Sequence, residues 1–213
     1  MPLPDFLLDK YKDWKENYFK KKENLYKILE EKGQNPKAMI ISCCDSRVDA
    51  NSIFNTNPGD FFYHRNIANL IPPYNYEKLS NSEIISSIEY GILSLKISSI
   101  IIMGHSSCGG IKYAHEKFSK DIFEKERNSL NQWIDNVKPA YNLIDKNQSE
   151  LNCIKALEKQ SIINSIENLK NYPDIKKLVL DKKLTIYGLY FEINSGRLNQ
   201  YNEITKKFEI LSY

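Results

Sequence analysis

The chain has 213 residues, of which 41% are hydrophobic and 27% charged, a balance that supports a packed core and excludes a disordered chain. Eight Gly and eight Pro are too few for a low-complexity linker or a collagen-like repeat. The 30 Lys+Arg and 27 Asp+Glu are mixed along the chain and leave a net charge of +3. With no long apolar run, neither a nucleic-acid partner nor a membrane span is expected.

The opening residues, MPLPDFLLDKYKDW, carry no basic segment ahead of a short apolar patch and do not read as a secretory signal. A cytoplasmic, reducing compartment is therefore expected. There the four cysteines (Cys43, Cys44, Cys108 and Cys153) read as thiols or metal ligands before disulfides.

Residues 5–31 read as a helix with Leu7, Tyr11, Trp14, Tyr18, Leu25 and Ile28 on one apolar stripe. Such an aromatic arm can cover its own domain or a partner subunit. The run Lys20, Lys21, Lys22 is followed at once by Glu23 and reads as a solvated helix face. Gly33 and Pro36 end the helix. Ala38 to Cys43 is a continuous apolar run, as in a strand buried on both faces. Phe61 to Tyr63 is a second strand after the turn Asn57-Pro58-Gly59. Ser80 and Glu83 form a capping-box pair that opens a helix with Ile84, Ile85, Ile88, Ile92 and Leu95 on its core face.

Another buried strand, Ser99 to Met103, runs into the glycine-rich turn that ends at Gly110. Helices are expected near 126–138 and 149–170, the second stopping before Pro173. Lys183 to Ile193 reads as a strand, and Asn194-Ser195-Gly196 as the turn into a last pair of short strands. Strands alternating with helices predict an α/β fold, a mostly parallel sheet flanked by helices, in one domain over 1–213 with a helical arm over 1–32.

Two strand ends carry the chemistry. One gives Cys43-Cys44-Asp45-Ser46-Arg47 and the other His105-Ser106-Ser107-Cys108. Ligands bind at the carboxyl ends of strands in open parallel sheets, so neighbouring strands would bring two thiolates and an imidazole to one point. Two Cys and one His suit zinc, with a fourth position left for water. A closed structural site would need Cys44 or Cys153 as the fourth ligand. Buried thiols without metal are the competing reading. Asp45 and Arg47, two apart on an extended segment, point the same way and can pair beside the site.

The sequence resembles the β-class carbonic anhydrases from about Gly33 to Phe191. The resemblance rests on Cys-x-Asp-Ser-Arg at Cys43 to Arg47, on Arg65-Asn-Ile-Ala-Asn69, and on His-Ser-x-Cys-Gly-Gly at His105 to Gly110. Gly33-Gln34-x-Pro36-Lys37, Pro72-Pro73-Tyr74 and Ile88-Glu89-Tyr90 are similar to its plant-type subgroup. This resemblance implies one zinc per chain on Cys43, His105 and Cys108, with Asp45 and Arg47 as a catalytic dyad. It implies a substrate pocket of Gln34, Phe62, Ile67, Tyr90 and Gly109, shared across a homodimer or larger homo-oligomer whose subunits the arm would help to join. The implied activity is reversible hydration of carbon dioxide to bicarbonate and a proton by zinc-bound hydroxide. Hydrolysis of carbon disulfide or carbonyl sulfide on the same zinc framework is the alternative. Cys44 departs from the family pattern, and the tail from Asn199 has no special match.

The remaining conspicuous residues read as structural. His64 is expected to bond backbone at a strand end rather than relay protons. His115 is expected on an exposed helical turn, and Cys153 in packing.

Overall fold

The structure is a computed structural model that describes residues 1–74, 83–120, 126 and 128–212. The chain divides into two compact units, Met1–Asn35 and Pro36–Tyr213.

The first unit is a helical rod of α1 (Asp5–Trp14), a π-helical turn (Lys15–Phe19) and α2 (Lys20–Lys32). Gly33, at φ 76°, ends it. The π turn underwinds the rod, so the ring contacts differ from a simple helical stripe. Trp14 meets Phe19 at 5.4 Å and Tyr26 at 6.0 Å, and Phe19 meets Tyr26 at 5.2 Å. Phe19 and Tyr26 thus join Tyr11, Trp14 and Tyr18 in an aromatic cluster that spacing alone does not assemble. The lysines pair within the rod, Lys20 with Glu16 and Lys27 with Glu23, as a solvated face does. None of the helical residues in this unit is buried.

The second unit is built on a six-stranded sheet in the order β2-β1-β3-β4-β5-β6. The strands are β1 (Ala38–Cys43), β2 (Phe61–Asn66), β3 (Ser99–His105), β4 (Thr185–Phe191), β5 (Leu198–Asn202) and β6 (Lys207–Ile210). The first four in space are parallel, and β5 and β6 close the sheet antiparallel. The helices are α3 (Ala50–Phe54), α4 (Glu83–Glu89), α5 (Gly109–Lys120), α6 (Asn128–Ile134), α7 (Lys138–Leu143), α8 (Glu150–Lys170) and α9 (Pro173–Leu180). Ser80 of the expected capping box lies outside the described residues. No described helix is long and apolar enough to cross a membrane.

Every residue of β1 is buried, as its continuous apolar run requires of a strand with neighbours on both sides and cover on both faces. On one face Met39, Ile41, Ile100 and Ile102 pack against Ile84 and Ile88 of α4 and against Ile162, Ile166 and Leu169 of α8. On the other, Ile40, Met103 and Leu189 pack with Val48 and Ala50. Helix α8 lies close to the sheet because Gly104 and Gly188 leave room. A Cβ at either would stand 2.7 Å from Ile162 Cδ1 or Ile166 Cδ1 respectively.

Two helical expectations are refined. The helix near 126–138 is α6, a 3-10 turn (Asp135–Val137) and then α7, which Pro139 opens from its first turn. Pro173 both follows α8 and begins α9, a proline start signal that the sequence reading took only as a stop.

The strand order reverses between β1, which continues outward to β2, and β3, which lies on its other side. That reversal is a topological switch point, where the crossover connections part and leave a crevice at the carboxyl ends. Ser42 stands opposite Met103 in the β1–β3 register, so Cys43 and His105 leave the sheet side by side at this crevice.

Candidate metal centre and active site

Three side chains gather at the switch point. The ligand atoms of Cys43, His105 and Cys108, all buried residues, lie within 4.8 Å of one another. The two sulfurs are 3.9 Å apart. Thiolates about 2.3 Å from a common tetrahedral ion stand about 3.8 Å apart, so the sulfur spacing suits zinc. His105 Nδ1 bonds the Ser106 carbonyl at 3.0 Å, which makes Nε2 the acceptor nitrogen. That Nε2 is buried with no hydrogen-bond partner, an orphaned lone pair that a metal ion would satisfy.

The thiols themselves ask for a cation. The contact with Cys108 foremost, helped by His105 and the Ala68 N–H, holds Cys43 well below an ordinary thiol. The same contact, with burial, pushes Cys108 up. The first proton leaves easily and the second does not, unless a positive ion takes its place. Neither suggested fourth ligand joins the group. Cys44 is exposed past the end of β1, and Cys153 is buried in α8 with its thiol toward the carbonyls of Asp145 and Gln148. Three ligands among the described residues leave one position open.

Asp45 borders that position. Its Oδ1 accepts from Arg47 Nε at 2.9 Å and from the Arg47 backbone N–H at 3.0 Å, and its Oδ2 accepts from Arg47 Nη2 at 2.8 Å. The guanidinium holds the carboxyl well below the usual carboxylate range. Asp45 Oδ2 still lies 3.8 Å from His105 Nε2, so it faces the centre while bound to Arg47. The turn that presents it is fixed by Arg65, which donates to the carbonyls of Cys43, Asp45 and Val48.

The next loop is held as firmly. Asn66 bonds both the N–H and the carbonyl of Leu70, and Trp133 Nε1 donates to the Ile67 carbonyl at 2.9 Å. Ala68, at φ 64°, is thereby kept with its N–H 3.4 Å from Cys43 Sγ. Gly110 admits this loop, since a Cβ there would stand 2.7 Å from Ile67 Cγ2.

A family model described as carbonic anhydrase matches residues 38–198. The chain belongs to the carbonic anhydrase family, in its β class. Beta carbonic anhydrase 3 of Arabidopsis thaliana is 34% identical over 187 residues, which cover 86% of this chain and 70% of that protein. The solved structure of the β-carbonic anhydrase CcaA superposes with a TM-score of 0.89 at 28% identity, covering 98% of this chain and 92% of the other. A tetrameric β-carbonic anhydrase of Sordaria macrospora gives 0.75 at 25% identity, covering 92% and 95%.

The residues expected to line a carbonic anhydrase pocket separate into groups. Ile67 is partly exposed on the clamped loop, and a Cβ on Gly109 would meet nothing within 4 Å, so both border open space. Phe62 and Tyr90 form a tilted ring pair at 5.8 Å elsewhere. Phe62 is paired with Met39, four residues before Cys43, hence about 13 Å from the centre along the strand. Gln34 belongs to the N-terminal unit.

Two histidine expectations are corrected. His64 bonds a side chain, Ser87 Oγ at 3.2 Å, because α4 packs beside β2. His115 is buried, on the inner face of α5 with its ring edge-on to Tyr141. Glu158, Arg65 and Trp133 received no individual role from the sequence. Glu158 was detectable as a carboxylate on the apolar stripe of α8, next to Leu157 and one turn before Ile162.

Proposed function

We propose that this chain hydrates carbon dioxide reversibly to bicarbonate and a proton at a zinc ion held by Cys43, His105 and Cys108. Support comes from family membership and, above all, from the two sulfurs 3.9 Å apart beside an unpartnered imidazole nitrogen. Zinc bound there supplies Lewis acidity that makes a water molecule nucleophilic near neutral pH. Asp45 Oδ2, which faces the centre, would accept a hydrogen bond from the reacting water and so orient it toward the substrate. Arg47 holds Asp45 in this pose and keeps its carboxylate off the open metal position. Ile67 and the bare edge at Gly109 leave an uncharged wall suited to a small linear gas molecule. Gln34 is assigned the donor to the substrate or bicarbonate oxygen.

Phe62 and Tyr90 act in the pocket of a second copy, because their distance from the centre along β2 leaves the chain's own site without them. A homo-oligomer follows, in keeping with the tetrameric fungal relative and with an aromatic arm that has no buried residue in its helices. The deciding measurement is stopped-flow carbon dioxide hydration on protein of known zinc content. Protein carrying one zinc per chain that fails to accelerate hydration overturns the reading.

A further inference from the structure

The peptide unit joining Ser107 to Cys108 is gripped at both ends, by Arg47 and by Glu158. Its carbonyl oxygen accepts from Arg47 Nη2 at 3.0 Å. Its N–H donates to Glu158 Oε1 at 3.1 Å. Glu158 sits in α8, is only 2% exposed, and accepts on its other oxygen, Oε2, from Tyr190 O–H at 2.7 Å. Both carboxyl oxygens are thus hydrogen-bonded, one to the Cys108 N–H and one to the Tyr190 hydroxyl. Ser107 itself is at φ 58°, in the left-handed region that a serine seldom occupies.

We propose that Glu158 is a positioning residue for the metal centre, acting through this peptide plane on both Cys108 and the Asp45–Arg47 pair. Turning the plane over would set the carbonyl against the accepting Oε1 of Glu158 and the N–H against the Arg47 guanidinium. Both contacts repel, so the plane has one orientation. One consequence is that Cys108 enters α5 with its sulfur aimed at Cys43. The other is that Arg47 has a fixed acceptor beyond Asp45, which stops its fork from rotating and carrying Asp45 with it. A continuous chain of hydrogen bonds thus runs from Tyr190 in β4 through Glu158, the 107–108 peptide and Arg47 to Asp45.

This rests on the metal reading above, and its test is separable from that reading. Full-length Glu158→Leu, Glu158→Gln and Tyr190→Phe proteins are compared with the parent in two measurements besides hydration rate. These are the rate of zinc transfer to a chromophoric chelator and the visible d–d bands of the cobalt(II)-substituted protein. Glu158→Leu is expected to release zinc at least about tenfold faster, the usual effect of losing an outer hydrogen-bond partner, and to shift the cobalt bands. Its kcat is expected to fall with KM little changed. Glu158→Gln, whose amide oxygen still accepts from Cys108 N–H, should recover most of the zinc retention. Tyr190→Phe, which frees one carboxyl oxygen, should fall between. A folded Glu158→Leu protein with parental zinc release and cobalt bands overturns the proposal. Should that variant not fold, parental values in Tyr190→Phe overturn it equally. Failure of the parent itself to bind zinc or hydrate carbon dioxide would instead count against the functional reading.

Discussion

The turn after β1 and the N-terminal arm solve opposite problems. In the turn, polar groups close on one another within the chain. Arg65 holds three carbonyls, and Arg47 holds both Asp45 oxygens and the Ser107 carbonyl. In the arm, Trp14 gathers Tyr11, Tyr18, Phe19 and Tyr26, yet Tyr11 remains 56% and Leu7 43% exposed. Contiguous apolar surface of this kind marks an interaction face. The candidate metal ligands therefore all come from one chain, while the arm presents an apolar face suited to a partner. The same division separates Asp45, which faces the centre, from the Phe62–Tyr90 pair, which does not.

The most severe way to break the self-sufficient half is to remove a ligand. Cys108→Ser should lose its zinc and at least about 10³-fold in hydration rate, since the acidity of the reacting water comes from the metal. Metal analysis and stopped-flow kinetics check this together. Asp45→Asn comes next. It should keep a full complement of zinc but lose about 10²-fold in kcat, a typical contribution of a placed proton acceptor. The amide keeps one acceptor oxygen where the carboxylate has two, so the three Arg47 donors and the reacting water can no longer all be accepted. A variant with parental kcat would show that Asp45 only closes the turn.

Removing residues 1–30, which spares Gln34, tests the dependent half. The expected result is a weakened oligomer in sedimentation and a parallel loss of activity with zinc content unchanged. Monomeric protein of full activity would mean that Phe62 and Tyr90 are not needed in any pocket. A smaller loss is expected in the core. Gly104→Ala drives a methyl to 2.7 Å from Ile162 Cδ1 and 2.8 Å from Ile162 Cγ1, and should cost about 1–3 kcal/mol in denaturant unfolding, the usual range for overpacking.

How much of this the sequence carries follows from range. Ala38 to Cys43 and Ser99 to Met103 are legible as strands because burial on both faces writes a continuous apolar run, and the structure carries the second strand on to His105. Cys43 and His105 are legible because each lies where such a run gives out, and Cys108 because it follows His105 in the same short turn. Local spacing likewise sets the Asp45–Arg47 pair. Register is not local: nothing near Phe62 says that it faces Met39 rather than Cys43, so its distance from the centre had to be seen. Glu158 reaches the Cys108 N–H across 50 positions of chain, and Trp133 reaches Ile67 across 66. His115 was misplaced for a related reason: a histidine on a charged helix reads as solvated until Tyr141 from α7 is packed against it.

The smallest effect separates burial from function at His64. Ser87 Oγ donates to the Glu83 carbonyl at 2.8 Å, so its proton is committed and His64 Nδ1 is the donor in the bond between them. Burial lowers the His64 pKa below its ordinary value, against a weaker upward pull from Glu83. An unfolded histidine titrates near ~6.5. Between that value and the lower folded one, the unfolded chain binds the extra proton. Stability from this site is thus fully present above the unfolded pKa and lost as pH falls through the folded one. The thermal stability of the parent should fall as pH drops below neutral, and His64→Asn should flatten that decline without changing kcat at pH 8. A proton relay would give the reverse pattern, a lower kcat with the pH dependence of unfolding intact.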